Sequence, residues 1–292
     1  MPSFNKHTTI ALFLIIPQLL VTLVFFILPA FSAILQSLFY SDAFGIQQSF
    51  AGLYNFIDLW GSTEYLLALW NTLIIAISVT LLTMILGLSL ALLVHGRKHG
   101  QQIYKSLLLW PYAVAPAVAA ILWRFLCHPT LGWMTTLLSS VGIEFNYLVH
   151  PKQALLVVIL TSTWQQFSYN FLFFFAALKL IPVTILEAAV VDGASSWNRF
   201  WHIIFPLLAP TTFFLLIMNL IYSFFDTFGI IHVMTNGGPG NSTTTLIYKV
   251  YKDGFVGMDP GSSSAQSVVL MIIVIALTLL QFRFLEKKVH YE

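Results

Sequence analysis

The polar side chains with the most chemistry to offer sit inside apolar runs. Gln165, Gln166, Ser168, Tyr169 and Asn170 interrupt one run, and Asn219, Tyr222 and Asp226 recur at three- and four-residue steps in the next. On a helix, Gln165, Ser168 and Tyr169 share one face, while Gln166 and Asn170 share the adjoining one. Amides and hydroxyls donate and accept hydrogen bonds without ionising. Their chemistry is therefore reversible binding of a polar solute. The same residue types also tie helices together inside a membrane, so each position has that second reading. Asp226 differs because it carries charge. A carboxylate at the bilayer centre costs about 2.5–3.5 kcal/mol on insertion scales. It lies only about five residues, roughly 7 Å, from the outer end of its run, where the cost is smaller. It repels anions, so it is expected to bind a backbone or partner group or to shape a gate.

Bond-making chemistry finds no support. His95 and His99 are four apart but flank Gly96, Arg97, Lys98 and Gly100, a short basic loop rather than a metal site. His128, His150, His202 and His232 are scattered. Cys127 is the single cysteine, so there is no internal disulfide and no metal framework; it reads as a small apolar filler near a helix end. No catalytic residue and no metal ligand is expected.

The elements that position these residues must be membrane helices. Hydrophobic residues form 58% of the chain and charged ones 8%, too few charges to cover a soluble protein. The net charge of +2 gives nucleic acid nothing to bind. Six apolar segments reach the roughly 20 residues needed to cross a bilayer: 10–33, 71–94, 107–126, 154–178, 207–231 and 265–284. Each should be helical, because lipid offers the backbone no hydrogen-bond partner. The expected fold is all-α and polytopic, with six transmembrane helices.

Basic residues orient the chain. With the N-terminus inside, Lys6, Arg97, Lys98, Lys105, Lys179, Arg199, Arg283, Lys287 and Lys288 face the cytoplasm, against Arg124, Lys152, Lys249 and Lys252 outside or near the outer interface. Both termini are then cytoplasmic. The first segment resembles a secretory signal in having Lys6 before it and Ala30-Phe31-Ser32-Ala33 near its end. Its apolar run exceeds the usual signal length, so a retained helix is expected. External stretches follow at 36–69, with Asp42, Gly45, Gly52, Asp58, Gly61 and Glu64, at 127–153, and at 232–264, where Gly237-Gly238-Pro239-Gly240 breaks any helix.

The cytoplasmic segment between the fourth and fifth runs reads as two short helices. Pro182 stops the preceding helix. Thr184 and Glu187 have capping-box spacing, opening a helix over 185–192. Gly193 suits the left-handed residue that ends it. Ser195 or Ser196 starts the second helix, and Pro206 separates that helix from the fifth span.

Here a resemblance enters. Glu187, Ala188, Ala189, Gly193, Ile203, Phe205 and Pro206 follow the spaced signature of permease subunits in binding-protein-dependent ABC importers. Phe205 stands where leucine is usual, a change within the apolar class. Gly52-Leu53-Tyr54-Asn55-Phe56, Asn71-Thr72-Leu73 and Gly237-Gly238-Pro239 resemble the sugar-type, MalF-like branch. The 110–120 stretch, Ser168 to Phe174, Phe224 to Phe228 and Thr243 to Lys249 are similar to glycerol-3-phosphate permease subunits. The likeness covers nearly the whole chain, weakest at the N-terminus and in 127–153.

The resemblance implies a MetI-like type 1 importer transmembrane domain. The implied divisions are an N-terminal helix and external segment (1–65), a transport core of helices two to six (66–285) with a coupling loop at 181–206, and a cytoplasmic tail (286–292). Glu187, Ala188, Ala189, Asp192, Gly193 and Ala194 would couple to the ATPase. The implied partners are a second homologous permease subunit, an ATPase dimer, a periplasmic solute-binding protein and the lipid bilayer of the inner membrane. ATP and Mg would bind the ATPase and no cofactor this chain, in keeping with the lack of a GxxxxGK[ST] phosphate loop. The solute implied is sn-glycerol-3-phosphate, and further glycerophosphodiesters. The alternatives are a related importer for a sugar or oligosaccharide, or an ion-driven secondary transporter. The last would need charged residues deep in several helices, where few occur.

Overall fold

A computed structural model describes residues 6–41, 48–97 and 99–285. Asp42, Gly45, Lys98 and the tail 286–292, with Lys287 and Lys288, lie outside the described residues. Among the described residues, four helices are long and apolar enough to cross a membrane alone: Phe13–Gln36, Thr63–His95, Ala209–Met234 and Pro260–Arg283. Two bent pairs supply the others. Gln101–Ala113 meets Pro116–Leu126 at 98°, and Pro151–Leu180 meets Val183–Val191 at 70°. With each pair contributing one span there are up to six; the fourth is carried by Pro151–Leu180, and Val183–Val191 belongs to the segment that follows it.

The third span corrects the sequence expectation of one continuous helix over 107–126. Its chain turns sharply between two short arms. Pro111 lies in the 3-10 turn Trp110–Ala113. Val114 is extended (φ −84°, ψ 127°), and so is Ala115 (φ −61°, ψ 143°). Ala115 precedes Pro116, whose ring excludes helical backbone at the residue before it. The outer arm restarts with Pro116 in its first turn, where a missing N–H costs nothing. The two prolines were visible in the sequence, but their spacing matters more than their presence.

The fourth span ends as expected. Leu180 is its last helical residue, Ile181 is extended, and Pro182 follows.

The described chain forms two compact units, 1–62 with 250–272, and 63–249 with 273–292. In the first, the exposed apolar helix Phe13–Gln36 leads to a hairpin of Phe39–Ser41 and Gln48–Phe50, pairing Phe39 with Phe50. Asn55 Nδ2 donates to the carbonyls of Ser37 (2.8 Å) and Phe39 (3.1 Å), fixing the short helix Tyr54–Gly61 under the strand. Gly261 is glycine for a steric reason: a Cβ there would strike the Phe39 carbonyl oxygen.

The second unit is built on the second span (Thr63–His95) and the fourth (Pro151–Leu180), which form its most extensive helix pairing. Gly87 permits their close approach, since a Cβ at that position would lie 2.5 Å from Asn170 Cβ and 2.9 Å from the Phe171 nitrogen. At one end of this pair, Ala91, Val94, Phe171, Phe174, Phe175, Leu178, Ile181, Leu208 and Leu215 form a buried apolar cluster. At the other end, Asn71 Nδ2 donates to the carbonyls of Asn241 (3.0 Å) and Thr244 (3.1 Å), and the Leu246 N–H donates to Thr72 Oγ1 (2.8 Å). Those bonds fasten the glycine-rich loop to the helix end. Gly237 (φ +80°) sits in that loop where a Cβ would strike Thr244 Oγ1.

Cys127 is buried beside Met134, its Sγ 3.7 Å from Met134 Sδ. Burial pushes the thiol up to about 11, and only the thiolate is nucleophilic. Iodoacetamide at pH 8 should leave Cys127 essentially unmodified in the folded protein and alkylate it in denaturant. Rapid labelling of native protein, read by mass spectrometry, would contradict this packing.

Candidate functional site

A pocket of about 390 Å³ opens where the broken third span faces the fourth and fifth. It is lined by Tyr112, Ala113, Val114, Ala115, Pro116, Gln165, Gln166, Tyr169, Met218, Ile221, Tyr222 and Asp226. Five of the sequence-selected polar residues, Gln165, Gln166, Tyr169, Tyr222 and Asp226, therefore meet at one cavity. Ser168, Asn170 and Asn219 are outside its lining. The third-span residues were missed in the sequence because 107–126 reads as a plain apolar helix; Pro111 and Pro116, five apart, were the available signal.

Two local distortions shape this pocket. The proline break exposes the Val114 carbonyl, and Gln165 Nε2 donates to it at 2.7 Å. The fifth span changes to a π-helical turn at Tyr222–Asp226, a form common at functional positions. Tyr222 Oη donates to Gln165 Oε1 (3.1 Å) and lies 3.4 Å from the Ser162 carbonyl. The Tyr112 and Tyr169 rings pack 5.6 Å apart. Asp226 is exposed at the rim.

No Lys or Arg belongs to the lining. Arg124, the cation that sequence placed near the outer end of the third span, instead donates from Nη1 to the Val233 carbonyl at 3.2 Å. Lys179 lies over the Phe175 ring at 5.1 Å, and Lys105 over the same ring at 5.2 Å.

Asn170 and Asn219 form a reciprocal amide pair deep in the unit. Asn170 Nδ2 donates to Asn219 Oδ1 (2.9 Å), and Asn219 Nδ2 returns a bond to Asn170 Oδ1 (2.7 Å). Both side chains are fully buried, and the pair ties the fourth span to the fifth. Truncating one partner strands the other, at about 1–3 kcal/mol. Asn170→Leu and Asn219→Leu should each lower the Tm of the detergent-solubilised protein, while the double variant should fall by less than their sum. Strict additivity would deny the pairing. Ser168 is also buried, with no hydrogen-bond partner for its hydroxyl among the described residues.

The segment between the fourth and fifth spans is a separate feature. Its first helix is Val183–Val191, with Pro182 at the N-cap and no side-chain cap. The capping box expected from Thr184 and Glu187 is absent, because proline with its fixed φ already starts the helix two residues earlier. Its end is as expected. Gly193 has φ +80°, Ala194 N donates to Ala189 O (2.9 Å), and Gly193 N donates to Val190 O (3.0 Å). That pair of bonds is the Schellman motif. Ser195 then caps the helix Ser196–Arg199, accepting from the Asn198 N–H at 3.3 Å. Pro206 does not make the break assigned to it. Helical backbone continues through Phe205–Leu207, and the chain turns at Leu208, just before Pro210.

Of the residues expected to couple to the ATPase, Glu187, Ala188, Asp192 and Gly193 are exposed, Ala189 is buried and Ala194 half-buried. Val183, Val190, Val191 and Trp197 are exposed apolar neighbours. The inner side of the segment is anchored. Leu186 and Ile204 pack on the apolar cluster that contains Ile181 and Leu208. These contacts join the segment to the ends of the fourth and fifth spans.

Comparison with known proteins agrees with this architecture. The family described as "Binding-protein-dependent transport system inner membrane component" matches residues 7–291. A protein of Brucella abortus, named sn-glycerol-3-phosphate transport system permease protein UgpA, is 52% identical over 279 residues, covering 96% of this chain and 95% of its own. Proteins of the same name from Agrobacterium fabrum and Yersinia enterocolitica are 51% and 50% identical, each over 95% of its own length and over 95% and 96% of this chain. Among solved structures, a bacterial ABC transporter that imports alginate aligns with TM-score 0.81 at 22% identity, covering 96% of this chain and 97% of that one. The MetNI methionine transporter aligns with TM-score 0.53 at 15% identity over 76% of this chain and 95% of its own. Those two likenesses concern the fold. The chain belongs to the binding-protein-dependent transport system inner membrane components, the multi-pass permeases of ABC importers.

Proposed function

We infer that this chain is a permease subunit that carries sn-glycerol-3-phosphate inward across the inner membrane, with glycerophosphodiesters as further cargo. The observation that carries this reading is roughly half identity, over almost the full length, to proteins named for that solute. Both termini lie in the cytoplasm. A second, homologous permease subunit completes the translocation path, an ATPase dimer binds ATP and Mg, and a periplasmic protein delivers the solute. The chain itself performs no catalysis and holds no cofactor.

The work done by its own residues is binding and transmission. Glu187, Ala188, Ala189, Asp192, Gly193 and Ala194 present the surface that the ATPase grips. Closure of the ATPase dimer displaces that surface, and Leu186 and Ile204 pass the displacement to the ends of the fourth and fifth spans. The pocket lies between those spans and the broken third, so it changes shape with them. Gln166, Tyr169 and the Gln165–Tyr222 pair meet the glycerol hydroxyls with neutral hydrogen bonds, which hold a solute without trapping it. With no cation in the lining and Asp226 at the rim, the phosphate is met by the partner permease or left with the binding protein. Asn170 and Asn219 serve the path indirectly, as the tie behind it.

The test is uptake of radiolabelled sn-glycerol-3-phosphate by vesicles containing the whole assembly and its binding protein. Saturable, ATP-dependent uptake that unlabelled glycerol-3-phosphate abolishes and maltose does not is the expected result. Uptake of a neutral sugar with none of the phosphate ester would overturn the solute assignment.

A further inference from the structure

Two departures from regular α-helix lie at the same pocket, and one side chain spans them. The first is the Val114–Ala115 break, where two extended residues separate arms meeting at 98°. The second is the π-helical turn Tyr222–Asp226. The outer arm, Pro116–Leu126, is fixed to the outer end of the fifth span. Gly229 lies beside Pro116, where even an added Cβ would make an ordinary 3.4 Å contact, and Arg124 bonds the Val233 carbonyl. The inner arm is fixed to the fourth span, with Trp110 against Trp164 (5.9 Å) and Lys105 over Phe175. The outer arm also touches the fourth span, with Trp123 6.2 Å from the same Trp164, so the break is a hinge between an arm held by the fifth and fourth spans and one held on the fourth.

Gln165 closes this hinge. Its Nε2 donates to the Val114 carbonyl, and its Oε1 accepts from Tyr222 Oη. One amide thus joins the hinge backbone, the fourth span and the π-helical turn, and both Gln165 and Tyr222 are buried. In this arrangement the Gln165 Nε2 and Oε1 each have a partner. A hydroxyl-bearing solute in the pocket offers the same donors and acceptors as Tyr222 Oη and the Val114 carbonyl, so it can replace either.

We propose that the Val114–Gln165–Tyr222 chain is a latch that holds the resting conformation until solute hydroxyls displace it, making Gln165 and Tyr222 positioning residues for the coupling of solute to ATP hydrolysis. The proposal rests on the reading of this pocket as part of the translocation path. Opening the latch releases the outer arm and the π-helical turn together, because the arm is docked on the helix that follows the turn.

The latch makes a directional prediction that a merely structural role does not. In the complete reconstituted assembly, Tyr222→Phe and Gln165→Leu should raise ATP hydrolysis in the absence of solute by about three- to tenfold, the range expected from losing one hydrogen bond. They should also shrink the stimulation given by binding protein loaded with sn-glycerol-3-phosphate. The double variant should match the single ones, since both break the same chain. A structural defect would instead lower basal and stimulated hydrolysis together, and that outcome would overturn the latch. So would unchanged basal hydrolysis in both variants. Met218→Trp, which fills the pocket without touching the latch bonds, separates the two ideas. If it abolishes uptake while Tyr222→Phe leaves hydrolysis as in the parent, the pocket reading stands and the latch falls. If uptake and hydrolysis are unchanged in all three variants, both fall.

Discussion

Substituting Gly193 should uncouple transport in a graded series, with asparagine mild, alanine intermediate and valine most severe. The residue has φ +80°, and a Cβ added there meets nothing within 4 Å. Within this chain an added Cβ has room, so the backbone conformation sets the intrinsic cost. A left-handed conformation costs an ordinary L-residue about 1–2 kcal/mol, less for asparagine, and it is a genuine outlier for a β-branched side chain. Those penalties fall on the turn that orients Val183–Val191 relative to Ser196–Arg199. The expected readout is continued ATP hydrolysis with solute uptake falling in the order Asn, Ala, Val. Equal, full coupling in all three would show that the turn geometry carries no force.

The second large effect is expected at Gly87. A Cβ there would lie 2.5 Å from Asn170 Cβ, 2.9 Å from the Phe171 nitrogen and 3.0 Å from the Asn170 carbonyl carbon. Two of those atoms are backbone, so no rotamer change can make room. Overpacking of this kind costs about 1–3 kcal/mol, sometimes more, and it also displaces Asn170 from its bond to Asn219. Gly87→Ala should lower the Tm of the purified protein, and Gly87→Leu should prevent its accumulation in the membrane. Gly61→Ala is the control: a Cβ there meets nothing within 4 Å, and stability should be nearly unchanged. Normal accumulation and melting of Gly87→Leu would contradict the close pairing of the second and fourth spans.

Much of this architecture was readable from residues. Apolar length placed most span ends within five residues of the observed helices, because lipid imposes a single rule on the backbone. The second helix, however, begins eight residues earlier than expected, at Thr63, and the third six earlier, at Gln101. Gly193 and Ser195 announced their roles because left-handed backbone and N-caps admit few residue types. Where two local devices compete, sequence misled. Proline started the 183–191 helix ahead of the capping box offered by Thr184 and Glu187. The break at Val114–Ala115 went unread because hydropathy is blind to backbone direction. Five of the polar residues singled out at membrane depth meet at one pocket, yet the division among them was hidden. Gln165, Tyr169 and Asp226 face a cavity and Asn170 pairs with Asn219, a distinction set by neighbours on other helices. Asn71 and the loop carbonyls of Asn241 and Thr244, about 170 residues apart in sequence, meet for reasons no local pattern contains.

The central claim is that the exposed segment around Glu187 to Ala194 carries force from a separate ATPase into the spans. Its most direct test compares vesicles containing this chain and its partner permease with vesicles that also contain the ATPase, each supplied with binding protein, sn-glycerol-3-phosphate and internal ATP. Uptake should appear only with the ATPase present, and hydrolysis should rise when the loaded binding protein is added. Solute accumulation by the permease chains alone, with no nucleotide-hydrolysing subunit, would contradict the account.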